Sequence, residues 1–332
     1  YITITDDLTL KHYQYLSPSY EDLLLNIISV SRNGMIIINA LNALIEMVNN
    51  KIEVINDMDG ENLFRSSIFV LEKFKNSKNY FKNISSRQQI CQPALILLSR
   101  CLSFFNAPED LLLDSINEFH FFLKSEFIYI KPLIISLISY ISFYQSERAI
   151  NFFSNEIIHL VDLIIENKVD PSQYIENVLA SLANMVHRSD DFCISLPSTS
   201  NIFNLDPSSS WPEKAKINFI RLFDTIFSRF QRCDNKEKIW INSLAVIQLN
   251  SESIVLKAMS FLEESSFKIK KEVVSMISQL ILIGDSTIIL NLFNNDIGII
   301  PLFAEYIDSN FKNNIIIEIA RALLLLCKVL PQ

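Results

Sequence analysis

FKIKKEVVSMISQLILIGDSTIILNLFNNDIGIIPLFAEYIDSN, Phe267 to Asn310, reads as a helix, a Gly turn, a short helix, an Asn/Asp/Gly turn and another helix. The pattern then starts over. Phe267-Lys268 is answered 44 residues later by Phe311-Lys312, and an apolar helix follows each. A unit of that size cannot bury its apolar face alone, so repeating it implies stacking of each unit on the next. The fold class expected is all-α.

Working outward, apolar residues at helical spacing predict helices from Tyr20, at Met35 to Val48, Asn62 to Phe74, Arg87 to Phe105, Leu111 to Leu123, Phe127 to Tyr144 and Asn155 to Glu166. The first is expected to end at Arg32-Asn33-Gly34, with Gly34 in the left-handed conformation. Asp170-Pro171-Ser172 is expected to open a helix running to His187, Asp as N-cap and Pro at the first helical position. Taking the long helix as the last of each triplet puts its starts near residues 35, 87, 127, 171, 213, 267 and 312, which suggests about seven repeats. Between 213 and 267 a second helix is required, but the spacing does not locate it. Residues 1–19 read as a polar lead-in and 20–332 as the repeat array. Ser189 to Trp211, with two prolines and seven serines, reads as a long loop. It is either a tolerated surface insertion or a partner-contacting, phosphorylatable segment.

Composition narrows the function. The chain has 332 residues, 49% hydrophobic and 20% charged, which excludes disorder over most of its length. Only 4 glycines occur, too few to favour the phosphate-cradling loops of a nucleotide enzyme. A net charge of −8 disfavours non-specific nucleic-acid binding, which draws on Lys and Arg. Five cysteines are scattered without a CxxC pair and read as reduced intracellular thiols. Phe127 to Tyr144 approaches the length of a membrane span, but Lys131-Pro132 interrupts it, so no membrane partner is expected. His159 and Asp162 stand three apart and read as a surface pair, His187 with Asp190, Asp191 and Cys193 reads as a helix end rather than a metal site, and GxSxG, HExxH, Walker and Rossmann patterns are missing. No cofactor, metal or catalytic residue is expected.

At Ile269 to Gly284, IKKEVVSMISQLILIG, the chain resembles the third helix of an armadillo repeat, and more narrowly that of importin α, a family of nuclear-transport adaptors. The family pattern is close to IKKEAxWxISN with a closing Gly; Ile269, Lys270, Lys271, Glu272, Ile277, Ser278 and Gly284 agree with it. DIGIIPLFAEYI looks like the family's second helix, and NVLASLANM, Asn177 to Met185, matches the third-helix pattern again through Asn184. The resemblance implies a right-handed α-solenoid of about seven armadillo-type triplets whose third helices line a groove for an extended peptide. In that family a recurring Trp and Asn form the groove. Here the Trp positions hold Ile96, Ser136, Ala180, Ile217, Ser275 and Ile319, and the Asn positions hold Arg100, Tyr140, Asn184, Arg221, Gln279 and Leu323.

The peptide-groove candidates are therefore Arg100, Tyr140, Glu176, Asn184, Arg221, Glu272 and Gln279. Cation–π contacts are worth about 0.5–2 kcal/mol each, so a groove without its Trp residues is expected to bind a Lys-rich signal weakly and a mixed-charge or apolar segment better. The reading is a non-enzymatic, intracellular protein-binding scaffold, cytoplasmic or nuclear, akin to importin α. The alternatives are an armadillo scaffold for assembly or signalling without transport and, from another class, an all-α enzyme or lipid-binding protein with an internal cavity.

Overall fold

The computed structural model describes residues 17–50, 60–75, 84–105, 109–124, 130–144, 146–166, 168, 170, 172, 174–207, 210–232, 238–264, 267–294, 297–308 and 314–330. Among the described residues there are fifteen α-helices and no strand. The chain divides into two compact units, Tyr1–Leu137 and Ile138–Gln332.

The first unit contains α1 (Ser17–Val30), α2 (Gly34–Asn50), α3 (Gly60–Lys75), α4 (Ile84–Phe104) and α5 (Glu109–Lys124). Helix α3 packs on α4, α1 and α5, and α4 on α2. Gly60 sits where an added Cβ would lie 2.7 Å from Phe105 Cγ, so only glycine lets the start of α3 press against that ring. Gly34 differs from expectation: it is the first residue of α2 and is not among the glycines at positive φ. The turn is made by Asn33, whose Oδ1 accepts the Met35 N–H at 3.0 Å as an N-cap does. Of the lead-in expected over residues 1–19, residues 1–16 lie outside the described residues, and α1 begins at Ser17.

Helix α6 (Lys131–Tyr144) contains the boundary between the units. The second unit continues with α7 (Ser146–Ile165), α8 (Ile175–Arg188), α9 (Asp190–Thr199), α10 (Glu213–Arg232), α11 (Lys238–Met259), α12 (Phe267–Leu282), α13 (Ser286–Asn294), α14 (Ile299–Asp308) and α15 (Asn314–Val329). Two rows result: α8 packs on α10, α10 on α12 and α12 on α15, while α9 packs on α11 and α11 on α13. Cross-helix hydrogen bonds mark the repeat. Asn184 Nδ2 donates to Ser139 O, Asn218 Nδ2 to Glu176 O, Arg229 Nη2 to His187 O and Asn291 Nδ2 to Gln248 O, over separations of 45, 42, 42 and 43 residues. Gly284 and Gly298, both at φ 78°, turn the chain after α12 and before α14 as the sequence suggested.

Two further expectations are corrected and one gap is filled. The α-helix ending the Asp170 segment starts at Ile175 rather than Pro171, because Asp170 instead accepts the Ser172 N–H in a local turn. The second helix after residue 213 is α11, a 22-residue element followed by a 3₁₀ turn at Ser260–Glu264. Ser189–Trp211 is not one long loop. Ser189 Oγ accepts the Phe192 N–H and caps α9, and a 3₁₀ turn at Ile202–Asn204 follows. Serine enrichment misleads here because Ser195, Ser198, Thr199 and Ser200 donate back to carbonyls three or four residues earlier, which a helix accommodates. Cys193, Leu196, Ile202, Phe203, Leu205 and Trp211 are buried, and Lys257 Nζ donates to both Phe203 O and Leu205 O at 3.0 Å, tying the segment to α11.

The apolar segment Phe127 to Tyr144 forms a 14-residue helix over its described part. Lys238–Leu262 is the described segment long and apolar enough to cross a bilayer by length and composition; one face of its helix packs on α9 and α13, and its other face leaves Leu249 84% exposed. Leu179, fully buried on α8, gives a contrasting pair. Leu179→Ala is expected to cost about 2–5 kcal/mol and Leu249→Ala less than about 0.5 kcal/mol in denaturant melts. Equal losses would mean that α8 is not packed as described.

Candidate functional site

The candidates fall into three places. Arg100 lies on α4 in the first unit and is exposed. Tyr140 and Asn184 are both half-buried, and Asn184 Nδ2 donates at 3.0 Å to the carbonyl of Ser139, the neighbour of Tyr140. The Tyr140 ring lies 4.8 Å from that of Tyr144, which in turn meets Phe143 edge-on at 4.8 Å. Burial, with the Tyr144 hydrogen bond second, raises the Tyr140 hydroxyl pKa well above its ordinary value. Phe143 and Tyr144 are exposed, so the end of α6 offers an aromatic patch next to a committed Asn.

On α8 and α10, Glu176 faces Lys214 at 3.7 Å and its backbone carbonyl accepts from Asn218. Further along, Arg221 binds Glu272 of α12, Nη2 at 2.7 Å and Nε at 3.1 Å from the same oxygen. Of the candidates, then, the structure joins Arg221 with Glu272 directly. Gln279, two turns after Glu272, is 7% exposed, and its Oε1 has no hydrogen-bond donor. The Trp-equivalent Ile217 and Ile319 are core residues, 3% and 0% exposed, because an Ile there packs inward rather than walling a groove.

Around the Arg221–Glu272 pair lies a polar cluster that the sequence did not reveal. Ser275 Oγ donates to Asp224 Oδ1 at 2.9 Å, from α12 to α10. Burial pushes the Asp224 carboxyl up to about 6; the Ser275 bond opposes this, Glu318 and Glu272 add to it, and Arg221 offsets part. Asp224 stands three residues after Arg221 and beside Phe223, Ile226 and Phe227, so the helical period reads it as one more polar residue on an amphipathic helix. Only its partners on α12 and α15 make it special. Asp224, Glu272 and Glu318 set three carboxylates against the one guanidinium of Arg221, which leaves this stretch locally negative.

Among the described residues no three His, Cys, Asp or Glu side chains come together as metal ligands would. Asp162 accepts from Asn201 and Asp190 pairs with Arg229 at 2.8 Å, so neither gathers the histidine near it in sequence. Cys91, Cys101 and Cys193 are buried, and burial, with Glu21 second, pushes Cys101 up to about 12. Trp211 is buried against Phe219, 6.1 Å between centroids, at the entry to α10, while Trp240 is half-buried and stacks on Phe230. The chain matches no protein-family model and no curated protein.

The raised Asp224 value has a definite consequence. Between the ordinary 3.8 and about 6 the folded chain holds a proton that the unfolded chain has lost, so this group's contribution to stability falls as pH rises through that window. The penalty is absent below the window and complete above it, on the order of 3 kcal/mol. Asp224→Asn keeps an acceptor for Ser275 and removes the charge. We expect the variant to be more stable than the parent near neutral pH, with the advantage shrinking as pH falls from about 6 to about 4. Urea midpoints across that range would show it, and a pH-independent difference would refute it.

Proposed function

We propose that this chain is a non-enzymatic scaffold, a right-handed α-solenoid of about seven armadillo-type repeats that holds an extended protein segment along its third helices. The observation that carries the reading is the row α8, α10, α12 and α15, in which each helix packs on the next and side chains reach carbonyls 42–45 residues away. Stacking of that kind presents one repeated helix face to solvent, and an extended peptide matches such a face residue by residue. The triplet is fullest at α13, α14 and α15; between α10 and α12 the described residues hold the single helix α11.

Two versions of the scaffold differ in their cargo. As an importin-α-like adaptor the chain carries proteins to the nucleus. As a general armadillo scaffold it serves assembly or signalling in the cytoplasm or nucleus. Burial of Ile217 and Ile319 at two aromatic positions favours the second.

Labelled Lys-rich, mixed-charge and apolar peptides titrated against the purified protein test both. We expect the mixed-charge segment to bind best, since it can answer Arg221 and the carboxylates together. Arg221→Ala leaves Glu272, Asp224 and Glu318 uncompensated, so affinity for the Lys-rich peptide should rise about three- to ten-fold while that for the mixed segment falls. If no peptide binds, the scaffold reading fails. Tight binding of the Lys-rich peptide by the parent, unchanged in the variant, would restore the transport reading.

A further inference from the structure

In the first unit, the end of α1 and the last turns of α3 enclose an open cleft of about 490 Å³ lined by Ser29, Val30, Arg32, Phe69, Glu72 and Lys73. It has two chemically distinct halves. Val30 and Phe69 are 69% and 39% exposed, an unusual outlay of apolar surface beside two cations. Lys73 Nζ donates to Ser31 O at 2.7 Å and sits 5.3 Å over the Phe69 ring, which fixes its ammonium at the cleft wall. Arg32 is exposed on the other wall and makes no ion pair among the described residues. Lys73 binds its proton less tightly than an ordinary lysine, first through burial and then through the charge of Arg32, so the two cations lie within reach of each other's field.

We propose that this cleft is a binding site for a carboxylate joined to a bulky apolar group, as at an acidic or C-terminal position of a peptide. The carboxylate fits between Arg32 and Lys73, where it relieves their mutual repulsion, and Lys73 retains N–H donors beyond the one given to Ser31 O. The apolar group covers Phe69 and Val30. Glu72 on the same lining sets the charge limit: Arg32, Lys73 and Glu72 together carry one net positive charge, which a single carboxylate balances and a phosphate dianion exceeds. The site belongs to a different unit from the α10–α12 cluster and does not rest on the scaffold reading.

Four probes test it on the full chain at low salt: N-acetyl-leucyl-phenylalanine with a free carboxylate, N-acetyl-aspartyl-phenylalanine amide, its neutral asparaginyl counterpart, and inorganic phosphate. At least one of the two acids is expected to bind about ten-fold tighter than the neutral peptide, and which acid leads tells a terminal carboxylate from a side-chain one. Arg32→Gln should bring the acids down to the level of the neutral probe without changing the melting temperature. Phe69→Ala should weaken all three peptides and leave the preference for acid, which keeps the test sound if Arg32→Gln proves less stable. Equal binding of acid and neutral peptides, phosphate binding as tightly as the acids, an acid preference that survives Arg32→Gln, or no binding at all would overturn the proposal.

Discussion

Phe219 and Phe223, one helical turn apart on α10 with ring centroids 4.9 Å from each other, are the contact on which the second unit depends. Phe203 meets Phe223 at 5.0 Å from the 3₁₀ turn, Trp211 meets Phe219 from the helix entry, and Phe261 closes on Phe219 from beyond α11. Edge-on packing places the positive rim of one ring on the negative face of the next, which holds orientation as well as burying area. Because these rings come from three chain segments on one side of α10, its other flanks are free to receive α8 and α12. The row of stacked helices therefore has an aromatic anchor at α10, its second member.

Much of this was legible in the residues. The 44-residue offset between Phe267 and Phe311 reappears as side chains reaching carbonyls 42–45 residues away, and Gly284 and Gly298 take up the positive φ that their turns demand. What escaped was of two kinds. Helix α9 was hidden by composition: its serines and Pro197 are loop residues by habit, yet the hydroxyls satisfy themselves on the helix and the apolar residues between them find a buried face. Helix α11 escaped because the starts near residues 213 and 267 lie further apart than the other repeat starts around them, so the spacing gave it no register.

The candidate site was legible by position and not by environment. The resemblance to an armadillo third helix placed Arg221 and Glu272 on helices that do become neighbours, and they do bond. It could not show that the bond neutralises both, nor that Asp224 one turn on is half-buried beside them and bonded to Ser275. An exposed ion pair contributes little to stability, about 0–1 kcal/mol, so this one is better understood as setting local polarity than as holding α10 to α12. The apolar residues under it do the holding. Changing a charge here alters what the face attracts more readily than whether it folds.

The reach of the carbonyl-directed contacts has a mechanical meaning. In the second unit four of them reach 42–45 residues back and join neighbouring helices, so tension applied along the row passes in full through every interface instead of being shared across a common core. Interfaces arranged in series open at the weakest first, and contacts this local leave the remaining ones in place.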